Sequence, residues 1–238
     1  MLATVHAATL LGVRGHPVRV EVHVDNGLPA FNVVGLPDAS CKEARDRVRA
    51  ALVSSGFAWP SRRITVNLAP TGVPKAGAVL DLPMAVGLLV ACGEVEPTSI
   101  EGMAFLGELG LDGSVRPIPG ALPLVDAVEV DVVVVAPDNA DEARLVTPKV
   151  AHPIPDLRSL VLALRGEEPW PETGSSTQEA ASFEEPDLAD VRGQRMARFA
   201  IEVAAAGAHH LLLIGPPGAG KSMLARRLPG LLPDLTDD

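Results

Sequence analysis

Eight consecutive residues concentrate the chemistry of this sequence: Gly215, Pro216, Pro217, Gly218, Ala219, Gly220, Lys221 and Ser222. Their spacing satisfies G-x-x-x-x-G-K-[ST], the phosphate-cradling loop of nucleotide-binding proteins. Each residue type has a task there. Glycines let the backbone curl so that several N–H groups face one anion. The Lys221 ammonium would neutralise β- and γ-phosphates, and the Ser222 hydroxyl would ligate Mg2+. The order of elements must be strand, loop, helix, with the helix starting beneath the phosphates. Four apolar residues, Leu211–Ile214, precede the loop and read as a buried strand.

The elements that would position the loop are legible to varying degrees. A helix is expected from about Gln194 to Ala206, with Arg195, Arg198 and Glu202 outward and Gly207 ending it. Upstream, Val18, Val20, Val22 and Val24 alternate with polar residues, as do Ile64, Val66 and Leu68, so both segments read as half-buried strands. Phe31–Val34 reads as a short strand. Asp38 or Ser40 can cap a helix that runs to about Ser55, with Arg45, Arg47 and Arg49 on its solvated side. Asp81–Cys92 is apolar enough for a buried helix, with Asp81 placed as its N-cap or first-turn acid. Met103–Leu109 and Ser114–Ile118 flank a hairpin signal at Leu111-Asp112-Gly113. Helix 121–130, strand 132–136 and helix 139–146 follow. Strands first, then alternating strands and helices, indicate an α+β or mixed α/β architecture.

Composition bounds the rest. Hydrophobic residues make up 47% of 238 but aromatics only 3%, so any core is aliphatic. No apolar run reaches the roughly 18 residues that span a bilayer, and no signal peptide is visible. Two cysteines exclude a disulfide framework, and none of the six histidines sits at ligand spacing. These features point to the cytosol. Eight acids and no base occupy 166–190; take them away and the net −10 becomes −2. The stretch PWPETGSSTQEAASFEEP within it reads as a linker, giving units 1–165 and 187–238 joined by an acidic 166–186. No basic stripe marks a self-sufficient nucleic-acid binder. Lys75, in a Pro-Lys turn, reads as a structural or surface residue.

Four blocks then resemble one family: GLPAFNVVGLPDASCKEARDRVRAAL, ITVNLAPTGVPKAGAVLDLPMAVGLL, DVRGQ and LLLIGPPGAGKSMLARRLPGLLPDL. Together they are similar to the ComM/YifB family of magnesium-chelatase-like AAA+ ATPases. The resemblance covers nearly everything outside the acidic stretch. It implies an α+β ribosomal S5 domain 2-like, Lon-protease-like domain over 1–165, followed by the first part of an α/β P-loop AAA+ domain over 187–238. It implies ATP and Mg2+ as cofactors, Gly215–Ser222 as the binding loop, and backbone atoms of Val191, Gly193 and Gln194 near the adenine. It further implies a homo-hexamer that translocates DNA, as in branch migration during DNA uptake. The two Lon-type catalytic blocks are altered here. Val79 stands where the nucleophilic serine should be and Leu122 where the lysine base should be, so proteolysis is not expected. Only 16 residues follow Ser222, too few for the acidic strand and arginine finger of a working ATPase. The expectation is therefore a fragment that cannot itself hydrolyse ATP, with DNA contacts in regions it lacks. Two other readings remain open: a metal-chelatase motor subunit, and a module that only assembles or regulates a ring.

Overall fold

A strand needs an apolar face and a partner, and the N-terminal residues supply both. Our computed structural model describes residues 1–171 and 186–233, the side chain of Lys42 aside. The chain divides into two compact units, 1–175 and 176–238. Most of the expected acidic linker, 172–185, lies outside the described residues.

In the first unit β1 (Leu2–Leu11) and β2 (Arg14–Asp25) form an antiparallel pair that places Ala3 opposite Val22, Val5 opposite Val20 and Ala7 opposite Val18. These six residues are buried, so period-two alternation sends one face of the ribbon into the core. β3 (Ala30–Val34) leads into α1 (Ala39–Ser54), where Asp38 accepts a hydrogen bond from the Cys41 amide, a side-chain N-cap. β4 (Arg63–Ala69) buries Ile64, Val66 and Leu68 on the same side. All eleven residues of α2 (Asp81–Ala91) are buried. At about 1.5–3 kcal/mol for each large side chain taken from water, this helix is a principal source of stability.

Then come β5 (Met103–Phe105), β6 (Glu108–Leu109), β7 (Val115–Arg116), α3 (Ala121–Ala127), β8 (Val132–Val135), α4 (Ala140–Arg144), β9 (Val150–Pro153) and α5 (Leu157–Leu164). The seven-stranded sheet runs β3-β4-β2-β1-β5-β8-β9. Four of its six pairings are parallel and two antiparallel, so the unit is mixed α/β, consistent with the expected α+β class. The hairpin is smaller than expected: only β6 and β7 pair across it, while Met103–Phe105 joins the main sheet. The sequence reading also passed over β1, β9 and α5.

Helices α1 and α2 cover one face of the sheet. The other face is covered only in part. A Cβ on Gly15 would lie 1.9 Å from the Pro123 carbonyl oxygen, so α3 rests against the closed end of the β1–β2 ribbon. The face is open farther along, where β1, β2 and β4 present Thr4, His6, Arg19, His23, Arg63 and Thr65.

Gly35 shows how tightly β3 is turned toward α1. Its φ is +97°, and a Cβ there would sit 2.2 Å from the Leu68 carbonyl oxygen. Backbone strain and overlap with a main-chain atom would combine. We expect Gly35→Ala to cost at least about 2 kcal/mol. In urea unfolding the midpoint should fall with an unchanged m-value.

In the second unit the described elements are α6 (Arg195–Ala206) and α7 (Lys221–Ala225), with short 310 turns at Leu188–Asp190 and Pro229–Leu231. Its core is small: Leu188, Val191, Ile201 and Leu224.

Candidate functional site: the glycine-lysine loop

The expected strand ahead of the loop does not form. Residues 209–216 carry no ladder hydrogen bonds, and Leu212 and Ile214 are 81% and 86% exposed. The reason is local. A strand is stabilised by cross-strand neighbours, and no other strand exists among the described residues of this unit. Apolar character alone cannot supply a ladder.

The loop itself turns at 217–220. Gly218 and Gly220 adopt φ values of +79° and +81°, the left-handed region that glycine enters without penalty. A Cβ at Gly218 would meet nothing within 4 Å, whereas one at Gly220 would come within 3.3 Å of Met223 Cε. Gly220 therefore has both a conformational and a packing reason to be glycine. α7 starts at Lys221 and is anchored by Leu224, which is buried against α6 and the 188–191 turn.

Lys221 is half-buried. Its Nζ donates to the carbonyl oxygens of Gly215 and Pro216, each at 2.8 Å. The ammonium is thus folded over the loop. Ser222 is exposed and, among the described residues, makes no side-chain hydrogen bond. The donor set suits a polyphosphate with its cation: a curled backbone, one ammonium and one hydroxyl. Among the described residues no group of three His, Cys, Asp or Glu could hold a metal alone, so any cation here would depend on the phosphates it accompanies.

Gln194, whose backbone is expected near the base, also reaches the loop through its side chain. Gln194 Nε2 donates to the Ala219 carbonyl oxygen at 3.1 Å, tying the start of α6 to the loop. Gln194 is non-glycine at φ +52°, a conformation that costs roughly 1 kcal/mol and is held here by that side-chain contact. Arg198, expected outward, is half-buried instead. It donates from Nη1 to the Val191 carbonyl at 3.1 Å, while its Nε is buried without a partner. Arg195 and Glu202 are exposed as expected.

The two positions at which the resemblance would place protease groups lie in the first unit. Val79 is buried, and Leu122 sits on α3 with its backbone N–H donating to Glu142 Oε1 at 2.9 Å. Neither side chain offers a nucleophile or base. Lys75 takes the structural of the two roles expected of it, for its side chain is fully buried. Its backbone N–H donates to Leu36 and its carbonyl accepts from Asp38, so the turn folds over the entry to α1 and carries the lysine inward. Its Nζ donates to the Pro70 carbonyl, and burial pushes its pKa down. Arg47 departs from the solvated face assigned to it. It makes a two-pronged ion pair with buried Asp81, at 2.6 and 3.0 Å, and donates to the Ser40 carbonyl. Asp81 is thus the first-turn acid of α2, one of the two places expected for it, and an ion-pair partner rather than a side-chain cap.

Two family descriptions match this chain: "Subunit ChlI of Mg-chelatase" over residues 20–139 and "Magnesium chelatase, subunit ChlI" over 187–238. Competence protein ComM of Haemophilus influenzae is 42% identical over 242 residues, covering 99% of this chain and 48% of the relative. The protein YifB of Salmonella typhimurium is 42% identical, covering 100% and 47%. A Mycobacterium tuberculosis protein without assigned function is 46% identical over 241 residues, covering 99% and 47%. The chain spans about half the length of the curated relatives it matches.

Proposed function

The chain belongs to the magnesium-chelatase subunit ChlI family, and from that premise we propose that it is part of an ATP-driven motor whose nucleotide site is built on Gly215–Ser222. The observation that carries this reading is the loop: left-handed Gly218 and Gly220, then Lys221 and Ser222 at the start of α7. Lys221 would exchange its two loop carbonyls for the β- and γ-phosphates. The Ser222 hydroxyl would face Mg2+, which supplies charge neutralisation on the phosphates. Gln194 would keep the loop shaped while the site is empty. Backbone atoms of Val191, Gly193 and Gln194 would border the base.

The work done with ATP is proposed to be movement along DNA by a homo-hexameric ring in the cytoplasm, a reading supported by the likeness to a protein named for competence. The first unit would serve assembly or regulation, with its protease chemistry absent. Among the described residues no helix is long and apolar enough to cross a membrane. A chelatase motor is the second reading, favoured by the two family descriptions.

The test is ATP turnover by the full-length gene product with and without DNA. Stimulation of at least about tenfold by DNA is expected, equivalent to about 1.4 kcal/mol of coupling. Turnover indifferent to DNA and raised only by chelatase partner subunits would move the assignment to the second reading. No turnover under any condition would remove both.

A further inference from the structure

A cleft of about 270 Å3 opens on the partly uncovered face of the first unit's sheet, where α3 ends and the strands become exposed. His6 and Arg19 stand opposite one another across β1 and β2 on its floor. Pro17 and Pro70 form one wall, Val128 and Glu129 the other. A cavity of this size is below the range of drug-sized ligands and suits a small metabolite.

Two observations make it more than a surface dent. First, its walls are fixed from behind. The Pro70 carbonyl accepts from buried Lys75, and the Val128 carbonyl accepts from Lys149, which also takes the Val125 carbonyl at 2.6 Å. Each wall is thus held by a lysine, Lys75 fully buried and Lys149 half-buried, and burial lowers the pKa of both. Second, the ionisable groups facing the cleft are uncommitted. Among the described residues His6, Arg19 and Glu129 make no side-chain hydrogen bond or ion pair. Arg19 and Glu129 carry opposite charges and line one cavity, yet they do not meet. A guanidinium is suited to a two-oxygen anion, and a carboxylate to an ammonium.

We propose that this cleft binds a small zwitterion, its oxyanion on Arg19 and His6 and its ammonium on Glu129, bridging charges that the protein leaves apart. The site is independent of the nucleotide loop and of the motor reading. The oxyanion can be a phosphate ester or a carboxylate, and the experiment separates them.

The test is NMR titration of the 238-residue chain, following the His6 ring and Arg19 side-chain resonances. Phosphoethanolamine supplies a phosphate with an ammonium, β-alanine a carboxylate with an ammonium, and inorganic phosphate the anion alone. Saturable shifts at His6 and Arg19 are expected with at least one zwitterion at low millimolar concentration, and the tighter of the two identifies the oxyanion. Arg19→Ala should weaken it about tenfold or more. Glu129→Gln should weaken the zwitterion about tenfold or more without weakening inorganic phosphate. Both residues are exposed, so an unaltered amide fingerprint will confirm folding. Linear, unsaturable shifts with both zwitterions, or equal affinities in wild type and Arg19→Ala, would overturn the proposal. So would a zwitterion affinity untouched by Glu129→Gln.

Discussion

Replacing Lys221 with Ala in the full-length protein should lower ATP turnover by at least about a hundredfold, the scale expected when one preorganised charge donor is removed from a phosphoryl-transfer site. Lys221 Nζ rests on two loop carbonyls at 2.8 Å and is the only lysine or arginine within the loop segment 215–222. Nothing else in that segment can place a full positive charge on the phosphates. Lys221→Arg should rescue little, because a planar fork cannot occupy the place of a compact ammonium. Nucleotide affinity should fall about tenfold or more, since hydrogen bonds to charged groups contribute roughly 1.5–3 kcal/mol. Loss of turnover with unchanged affinity would assign Lys221 to the chemical step alone. Wild-type turnover in Lys221→Ala would remove the loop from the mechanism.

The second large effect lies far from that loop. Arg47→Ala should destabilise the first unit by about 3 kcal/mol or more, because it strands a carboxylate that is 1% exposed. The same substitution in an Asp81→Asn background should cost far less, which distinguishes stranded charge from lost arginine packing. Asp81 also fixes a pH signature. Burial pushes its carboxyl up to about 6 from an ordinary 3.8, against the opposing pull of Arg47. A raised carboxyl pKa means that between pH 6 and 3.8 the folded chain binds the proton more tightly than the unfolded chain. Lowering the pH from 7 through this window therefore favours folding through this group. Without Arg47 the carboxyl titrates higher still, so the deficit of Arg47→Ala should be greatest above pH 7 and shrink toward pH 5. Urea unfolding at pH 7.5 and 5.0 reads both effects. A pH-independent deficit would contradict the stranded-charge account.

What could be read from residues alone depended on whether the signal was local. β2 and β4 announce themselves because valine and isoleucine alternate with polar residues, and α1 because Asp38 is a capping residue three positions before the amide it accepts from. β1 was harder. Its sequence, LATVHAATLL, is buried on both faces at Ala7–Thr9 where α3 rests on the ribbon, so alternation breaks down there. Leu211–Ile214 shows the converse failure: strand composition is present but pairing is not. Gly215–Ser222 could be picked out because every residue type it needs lies within eight positions. The burial of Lys75, Arg47 and Asp81 could not be read, because it follows from a turn folding over the start of α1 and from a partner 34 residues away. The side-chain contact of Gln194 was illegible for the same reason: its partner, Ala219, is 25 residues distant.

The position of β1 in the sheet has a consequence for synthesis. Its parallel neighbour is β5, with His6 aligned to Ala104. At about 5–20 residues per second, a ribosome takes on the order of 5–20 s to deliver that neighbour after His6 is made. The β1–β2 ribbon must wait that long with one flank bare, so chaperone access during translation should matter more to this unit than refolding speed in dilute buffer.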